Sequence, residues 1–185
     1  MNLIINPNPK EDHYSLSATL AARLAHHLSG ETKTIRIYEG PQNYFQYQCH
    51  QPWIDLMIEA AVLIIPVPMW NFTIPAALKD FFDKITKEGQ LWRLGEDKNS
   101  FVGLLKDRPV YIIMTSGLIY PPGDKRDFVI PYLKEFFAFL GIRNVKDFRV
   151  GGVTNSPELV QNADYMEKTT KKMFAAFDLP LDGNR

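Results

Sequence analysis

AVLIIPVPMWNFTIPAALK, residues 61–79, decides the fold. Its first seven residues, Ala61 to Val67, carry no polar side chain and are rich in β-branched types. That composition predicts a strand buried on both faces, as in the middle of a parallel sheet. Pro66 has no N–H to offer a neighbouring strand, so pairing is expected to weaken near the strand's carboxyl end. Pro75 then suits the start of a helix, and Ala77, Leu78, Phe81, Phe82 and Ile85 repeat at helical spacing.

The same alternation extends outward in both directions. Upstream, Leu3-Ile4-Ile5 is a short apolar run ended by Asn6, Pro7, Asn8 and Pro9, and reads as a first strand. From Ser15, apolar residues fall at Leu16, Leu20, Ala21, Leu24, Ala25 and Leu28 before Gly30 closes the helix. Lys33 to Tyr38 alternates as a second strand, Glu39 to Gln51 reads as a loop, and Trp53 to Ala60 as a short helix. Downstream, Lys87 to Asp107 shows neither period and is expected to be irregular. Val110 to Thr115 is a fourth strand, Phe128 to Leu140 a helix closed by Gly141, Val145 to Val150 a fifth strand, and Pro157 to Phe177 a last helix.

Five strands alternating with five helices predict an α/β, three-layer, doubly wound domain with a five-stranded parallel sheet in the order 2-1-3-4-5. Ligands of such sheets sit beyond the carboxyl ends of the strands, at the switch point between strands 1 and 3. The loops after Ile5, Val67 and Thr115 are therefore the ones expected to carry chemistry.

Composition narrows the partners. The 185 residues are 45% hydrophobic and 12% aromatic, enough for one core, and a single domain over residues 1–185 is expected. Lys+Arg and Asp+Glu both number 21, so no net charge recruits nucleic acid or an anionic membrane. A small molecule is the expected partner. Cys49 is the only cysteine, which excludes an intrachain disulfide and a Cys-rich metal site and fits a reducing cytoplasm. No run approaches a signal-peptide core or the roughly 18 apolar residues of a membrane span, so no membrane insertion is expected.

The first loop delivers Ser15-Leu16-Ser17 to a helix start, where unpaired N–H groups and the positive dipole end favour a phosphate. An isolated serine before a helix also serves simply as an N-cap, and both roles remain open for Ser15. Neither G-x-x-x-x-G-K-[ST] nor G-x-G-x-x-G occurs, which argues against nucleoside triphosphatase loops and dinucleotide fingerprints. Asn6-Pro7-Asn8 supplies no carboxylates for Mg²⁺, which argues against a response-regulator receiver.

The loop after Val67 presents Pro68, Met69, Trp70, Asn71 and Phe72 ahead of Thr73-Ile74-Pro75 and Leu78-Lys79. Here the chain resembles the flavin-dependent NAD(P)H:quinone oxidoreductases and FMN-dependent azoreductases, whose Pro-Met-[Tyr/Trp]-Asn-Phe-x-[Ile/Leu]-Pro-x-x-Leu-Lys stretch follows strand 3. The likeness continues through Phe82-Asp83-Lys84, Trp92-Arg93, Thr115-Ser116-Gly117, Pro131-Tyr132-Leu133 and Phe139-Leu140-Gly141-Ile142. The resemblance implies a flavodoxin-like fold, FMN rather than FAD as cofactor, NADH or NADPH as co-substrate, and a quinone-like or azo acceptor. It implies that Trp70, Asn71 and Phe72 lie along the isoalloxazine edge, with Pro68 and Met69 beside them. Asn6, Ser15, Leu16 and Ser17 would hold the phosphate end, and Thr115, Ser116 and Gly117 would approach the pyrimidine side. Such a protein needs no catalytic dyad because the flavin carries the redox chemistry. Tyr120 is a candidate to cap the ring or donate a proton, although a surface-loop tyrosine is the plainer reading.

Asn6-Pro7 stands where the family offers Ser or His, which removes one donor N–H, and the loop after Thr115 lacks the family's paired glycines. A carboxylate at Ser17 is expected to abolish FMN retention with the fold intact. His26 and His27 read as solvated residues of the first helix, and no histidine spacing suggests a metal. The 89–105 stretch carries Leu91, Trp92, Leu94, Phe101, Leu104 and Leu105, an apolar load that predicts a homodimer. Trp92 and Phe101 are the expected partner or substrate wall. A flavodoxin-like one-electron carrier, or a redox-regulatory subunit of a potassium-efflux-type transporter, are the rival readings.

Overall fold

A computed structural model describes residues 1–9, 14–40, 49–153 and 156–181. The elements are β1 (Asn2–Asn6), α1 (Leu16–His27), β2 (Thr32–Arg36), α2 (Gln51–Glu59), β3 (Val62–Pro68), α3 (Ala76–Ile85), β4 (Trp92–Leu94), β5 (Phe101–Gly103), β6 (Val110–Thr115), α4 (Ile130–Phe139), β7 (Val145–Val150), α5 (Ser156–Gln161) and α6 (Ala163–Ala176). Five strands form one parallel sheet in the order β2-β1-β3-β6-β7, which is the expected 2-1-3-4-5 once the two short strands are set aside.

The continuous apolar runs follow from burial on both faces. Leu3, Ile5, Leu63, Ile65 and Ile112 point to one side, where Phe81 and Phe82 of α3 and Leu133 and Phe137 of α4 cover them. Ile4, Ile64 and Ile113 point to the other, against Leu16, Leu20 and Leu24 of α1 and Met166, Met173 and Phe177 of α6 or its end. Each fully buried side chain of this size contributes about 1.5–3 kcal/mol of transfer free energy. Among the described residues no helix is long and apolar enough to cross a membrane.

Pro66 behaves as its chemistry requires. Pairing of β3 with β1 ends at Ile4↔Ile64, whereas pairing with β6 continues to Pro68↔Thr115. The missing N–H thus faces β1, and the free Pro66 carbonyl accepts from Asn8 Nδ2 at 3.1 Å. The weakening at the carboxyl end of β3 is confined to its β1 side, which opens a gap at the switch point.

The second helix begins at Gln51 instead of Trp53, with Pro52 in its first turn, and four other differences from the sequence reading are larger. The last helix divides into α5 and α6, because the Asn162 side chain accepts from Tyr165 N at 2.9 Å and starts a new helix. The fourth helix begins at Ile130 instead of Phe128, since the Asp127 carboxylate accepts from Val129 N at 2.9 Å and Ile130 N at 3.1 Å. The second strand stops at Arg36 and passes into a 3-10 turn over Ile37–Glu39, ahead of a loop whose residues 41–48 lie outside the described ones. The 87–107 excursion contains the antiparallel pair β4–β5, with Trp92 opposite Gly103. Two strands of three residues each are too short to display a period. Gly103 is required there: a Cβ would lie 2.1 Å from the Leu140 carbonyl carbon.

Candidate functional site

The loops leaving β1, β3 and β6 meet at one edge of the sheet and enclose a cavity of about 380 Å³. Its wall includes Asn8, Ser15, Met69, Trp70, Thr115, Ser116 and Gly117, with Val153 and Ser156 from beyond β7. None of the described residues lining it is charged. A smaller hollow of about 210 Å³ shares Met69, Ser116 and Gly117 and continues past Asn71, Phe72, Leu118 and Tyr120.

At one end stands the amino terminus of α1. Ser15 Oγ accepts from Ala18 N at 3.4 Å, so Ser15 is the N-cap, and it also lines the cavity. The two readings of Ser15 are therefore compatible in one geometry. Ser17 is only 1% exposed and lies behind it, its hydroxyl 3.3 Å from that of Ser15. A carboxylate at Ser17 would consequently be buried, and the fold is not expected to tolerate it unchanged as the sequence reading supposed. The Leu16 side chain belongs to the core, while its N–H donates to Ser156 Oγ at 2.7 Å. Asn6 and Asn8 brace this corner: Asn6 Oδ1 accepts from Asn8 N at 3.0 Å and from Asn8 Nδ2 at 2.7 Å.

Along the middle runs the turn after β3. Trp70 N donates to Thr73 O at 2.9 Å and Thr73 N to Trp70 O at 3.1 Å, closing a two-residue loop of Asn71 and Phe72. Both loop residues have positive φ, 49° and 71°, the pattern of a type I′ turn. Asn suits that conformation, but Phe in the left-handed region costs about 1–2 kcal/mol. Among the described residues the N–H groups of Asn71 and Phe72 have no hydrogen-bond partner. A strained turn that holds two donors open beside a cavity is the kind of arrangement found at ligand clamps.

The far side is formed after β6. Met69 N donates to Thr115 O at 2.8 Å, which ties the two loops together. Ser116 is engaged on every polar atom: its N–H donates to Val150 O, its hydroxyl to Leu118 O at 2.7 Å, and its carbonyl accepts from Val153 N. Its side chain therefore shapes the loop and is not a spare donor. Gly117 has no heavy atom within 4 Å of where a Cβ would stand, so its bare backbone leaves space at the cavity. Tyr120 is 7% exposed and packs in the core beneath the Arg126 guanidinium, 5.1 Å from its ring centroid. The chain thus buries a residue expected on a surface loop.

Trp92 and Phe101 lie elsewhere. They stack edge to face at 5.5 Å and both contact Phe139 at the end of α4, beside the segment that enters β7. That is the amino-terminal edge of the sheet, opposite the cavity. The excursion's apolar load is divided, with Leu91 and Leu105 in the core, while Phe101, Leu94 and Leu104 remain exposed. His26 is exposed, whereas His27 packs its ring 4.1 Å from Phe174.

Sequence reasoning missed three contributions. Ser156 and Val153 reach the cavity because β7 ends on the same edge as β1, β3 and β6, a consequence of the parallel order. A chain of alternating charge, buried at Asp127 and open to solvent at Lys134, also supports the loop after β6: Asp127 to Arg149 at 2.6 Å, Arg149 to Asp147 at 2.9 Å, and Lys134 to Asp147 at 2.7 Å. Burial pushes the Asp147 carboxyl up, but the hydrogen bonds from Lys134 and Arg149 outweigh it and leave that group below the usual carboxylate range. Finally, Trp70, Ile74, Pro75 and Tyr132 line an apolar hollow of about 500 Å³ on the outer side of the same turn. Burial, and secondarily Asp83, push the Tyr132 hydroxyl up to about 12.

The chain is similar to known proteins over part or nearly all of its length. An FMN-dependent NADH:quinone oxidoreductase of Beijerinckia indica is 36% identical over 111 residues, covering 59% of this chain and 54% of that protein. One from Coprothermobacter proteolyticus is 42% identical over 89 residues, 47% of this chain and 43% of that protein. The chain spans about half the length of the curated relatives it matches. Among solved structures, an FMN-dependent NADH-azoreductase from Bacillus anthracis in complex with FMN superposes with a TM-score of 0.76 at 24% identity, over 96% of this chain and 97% of that one. A family profile described as the flavodoxin-like fold matches residues 2–173, and the chain belongs to that family.

Proposed function

We propose that this chain is an FMN-dependent oxidoreductase that takes two electrons from NADH or NADPH and passes them to a quinone-like or azo acceptor by a ping-pong sequence. The curated relatives are named FMN-dependent NADH:quinone oxidoreductases, and one structural neighbour is an azoreductase holding FMN. The observation that carries the reading is the convergence of a helix amino terminus, an aromatic turn with two open N–H donors, and a side-chain-free glycine on two adjoining hollows whose described lining residues carry no charge.

The residues fit the group. Ser15 and the first turn of α1 would hold a phosphate by exchanging the present bonds of Leu16 N to Ser156 and of Ala18 N to Ser15, with no lysine or arginine among the described lining residues. The N–H groups of Asn71 and Phe72 would face the ring edge that gains charge on reduction, as preorganised donors do in an oxyanion site. Trp70, Met69 and Gly117 would exclude water from that edge. Bound FMN would supply the redox chemistry itself, accepting a hydride equivalent and releasing two electrons.

The proposal includes a homodimer working in the cytoplasm. Leu118 and Phe72, which line the smaller hollow, and Ile119 and Phe128, next to them in sequence or by hydrogen bond, are 61%, 47%, 75% and 59% exposed, apolar surface of a kind that favours a covering partner. In such a dimer Trp92 and Phe101 would contribute a wall only from the opposite edge of the fold. The test is an anaerobic titration: protein loaded with FMN should lose its absorbance near 450 nm on addition of NADH or NADPH, at about one equivalent per flavin. Protein that takes up no FMN, or retains colour with excess of both donors, would refute the reading.

A further inference from the structure

The Asn71–Phe72 turn is strained, exposed and short, so its conformation must be held from outside. The Phe72 carbonyl accepts from Phe128 N at 3.0 Å, and Phe128 comes from the loop after β6. The residue before it, Asp127, is 4% exposed and saturated with donors: Val129 N and Ile130 N on Oδ1, Arg149 Nη1 on Oδ2 at 2.6 Å. Arg149 also donates through Nε to Asp147, which Lys134 neutralises in turn. From its place on β7, the guanidinium thus bridges the carboxylates of Asp127, in the loop after β6, and Asp147, on β7 itself.

We propose that Asp127 and Arg149 are positioning residues for the flavin edge. The ion pair fixes Phe128, whose N–H holds the Phe72 carbonyl and thereby keeps the Asn71–Phe72 turn, with its unpaired N–H groups, at the smaller hollow. The chemistry suits this task. A planar guanidinium holds its bonds in a fixed fork, whereas an ammonium is a compact charge on a flexible stem that fixes no plane. Removing one partner of a buried pair leaves an uncompensated charge that drags its segment toward water. The path is a contiguous set of hydrogen bonds from Asp147 through Arg149, Asp127 and Phe128 to the Phe72 carbonyl. The inference about the ring edge rests on the FMN reading above; the inference about the turn does not.

The test uses R149M, R149K and the double variant D127N/R149M, in which no lone charge is buried. Amide hydrogen exchange on the flavin-free proteins reads the turn, and FMN fluorescence quenching reads the site. In R149M and in the double variant, Phe128, Trp70 and Thr73 should exchange roughly tenfold faster or more while the amides of β1, β3 and β6 keep their protection. FMN affinity should fall by roughly tenfold, with R149K intermediate because one bond of the bridge is restored. Unchanged exchange at Phe128 and Thr73 would overturn the proposal, and so would faster exchange spread evenly over the sheet. Local acceleration with unaltered FMN affinity would overturn the link to the ring edge. Wild-type protein that binds no FMN would instead sink the functional reading, while the exchange data still decide whether the pair holds the turn.

Discussion

Replacing Ser15 by Asp separates phosphate binding from helix capping. Asp matches Ser as an N-cap and favours the positive end of the helix dipole, so α1 should keep its start. The Ser15 side chain lines the cavity, which places the new carboxylate where a phosphate would sit. At about 4 Å and an effective dielectric near 20, each unit of like charge costs ~4 kcal/mol. The cavity opens to water, so half that value is the better figure, and a phosphate carries roughly 1.5 to 2 negative charges. The expected penalty is therefore about 3–4 kcal/mol, or a hundred- to a thousandfold weaker binding. Ser15→Ala is the control, since it loses a cap of about 1 kcal/mol and adds no repulsion. FMN fluorescence quenching gives the affinity, and thermal unfolding reports the helix. An Asp variant that binds FMN as tightly as the wild type would show that the phosphate does not lie at this helix end.

Three other substitutions probe the surrounding structure. Gly151→Ala places a Cβ 2.6 Å from Ile119 Cα and 2.8 Å from Leu118 O, so the loop after β6 must shift; FMN affinity should drop while urea unfolding changes by less than about 2 kcal/mol. Phe137→Ala empties a site that is 0% exposed beneath α4 and should cost about 3–5 kcal/mol in urea denaturation, with FMN affinity preserved in the folded fraction. Asp147 has a lowered carboxyl pKa, so its stabilisation is present above the unfolded value near 3.9 and is lost as pH falls through the folded one. The difference in melting temperature between wild type and Asp147→Asn should accordingly be largest near neutrality and shrink on acidification; a difference that grows below pH of about 4 would contradict the assigned ion pairs.

The sheet was legible because burial on both faces leaves a simple trace. Ala61 to Val67 and Val110 to Thr115 contain no charge, and each became an inner strand. Helix stripes were equally clear, since Leu78, Phe81, Phe82 and Ile85 all point into one core. Boundaries were less so, because they depend on single side chains: Asn162 cuts a helix that periodicity carries straight through, and Asp127 delays the start of α4. In the cavity, the identity of the loops followed from topology, but the engagement of Ser116 and the burial of Ser17 and Tyr120 depend on contacts between segments far apart in sequence. The same holds for Trp92 and Phe101. Their hydrophobicity announces burial without saying against what, and it is Phe139 that receives them.

The central claim is that the loops after β1, β3 and β6 form a seat for FMN. A crystal structure of the protein grown with FMN addresses it most directly. The phosphate should lie within hydrogen-bond reach of Ser15 and the first N–H groups of α1, and the ring between the Asn71–Phe72 turn and Ser116–Gly117. Flavin density at another surface, or a cavity that stays closed by its own side chains at saturating FMN, would contradict the account.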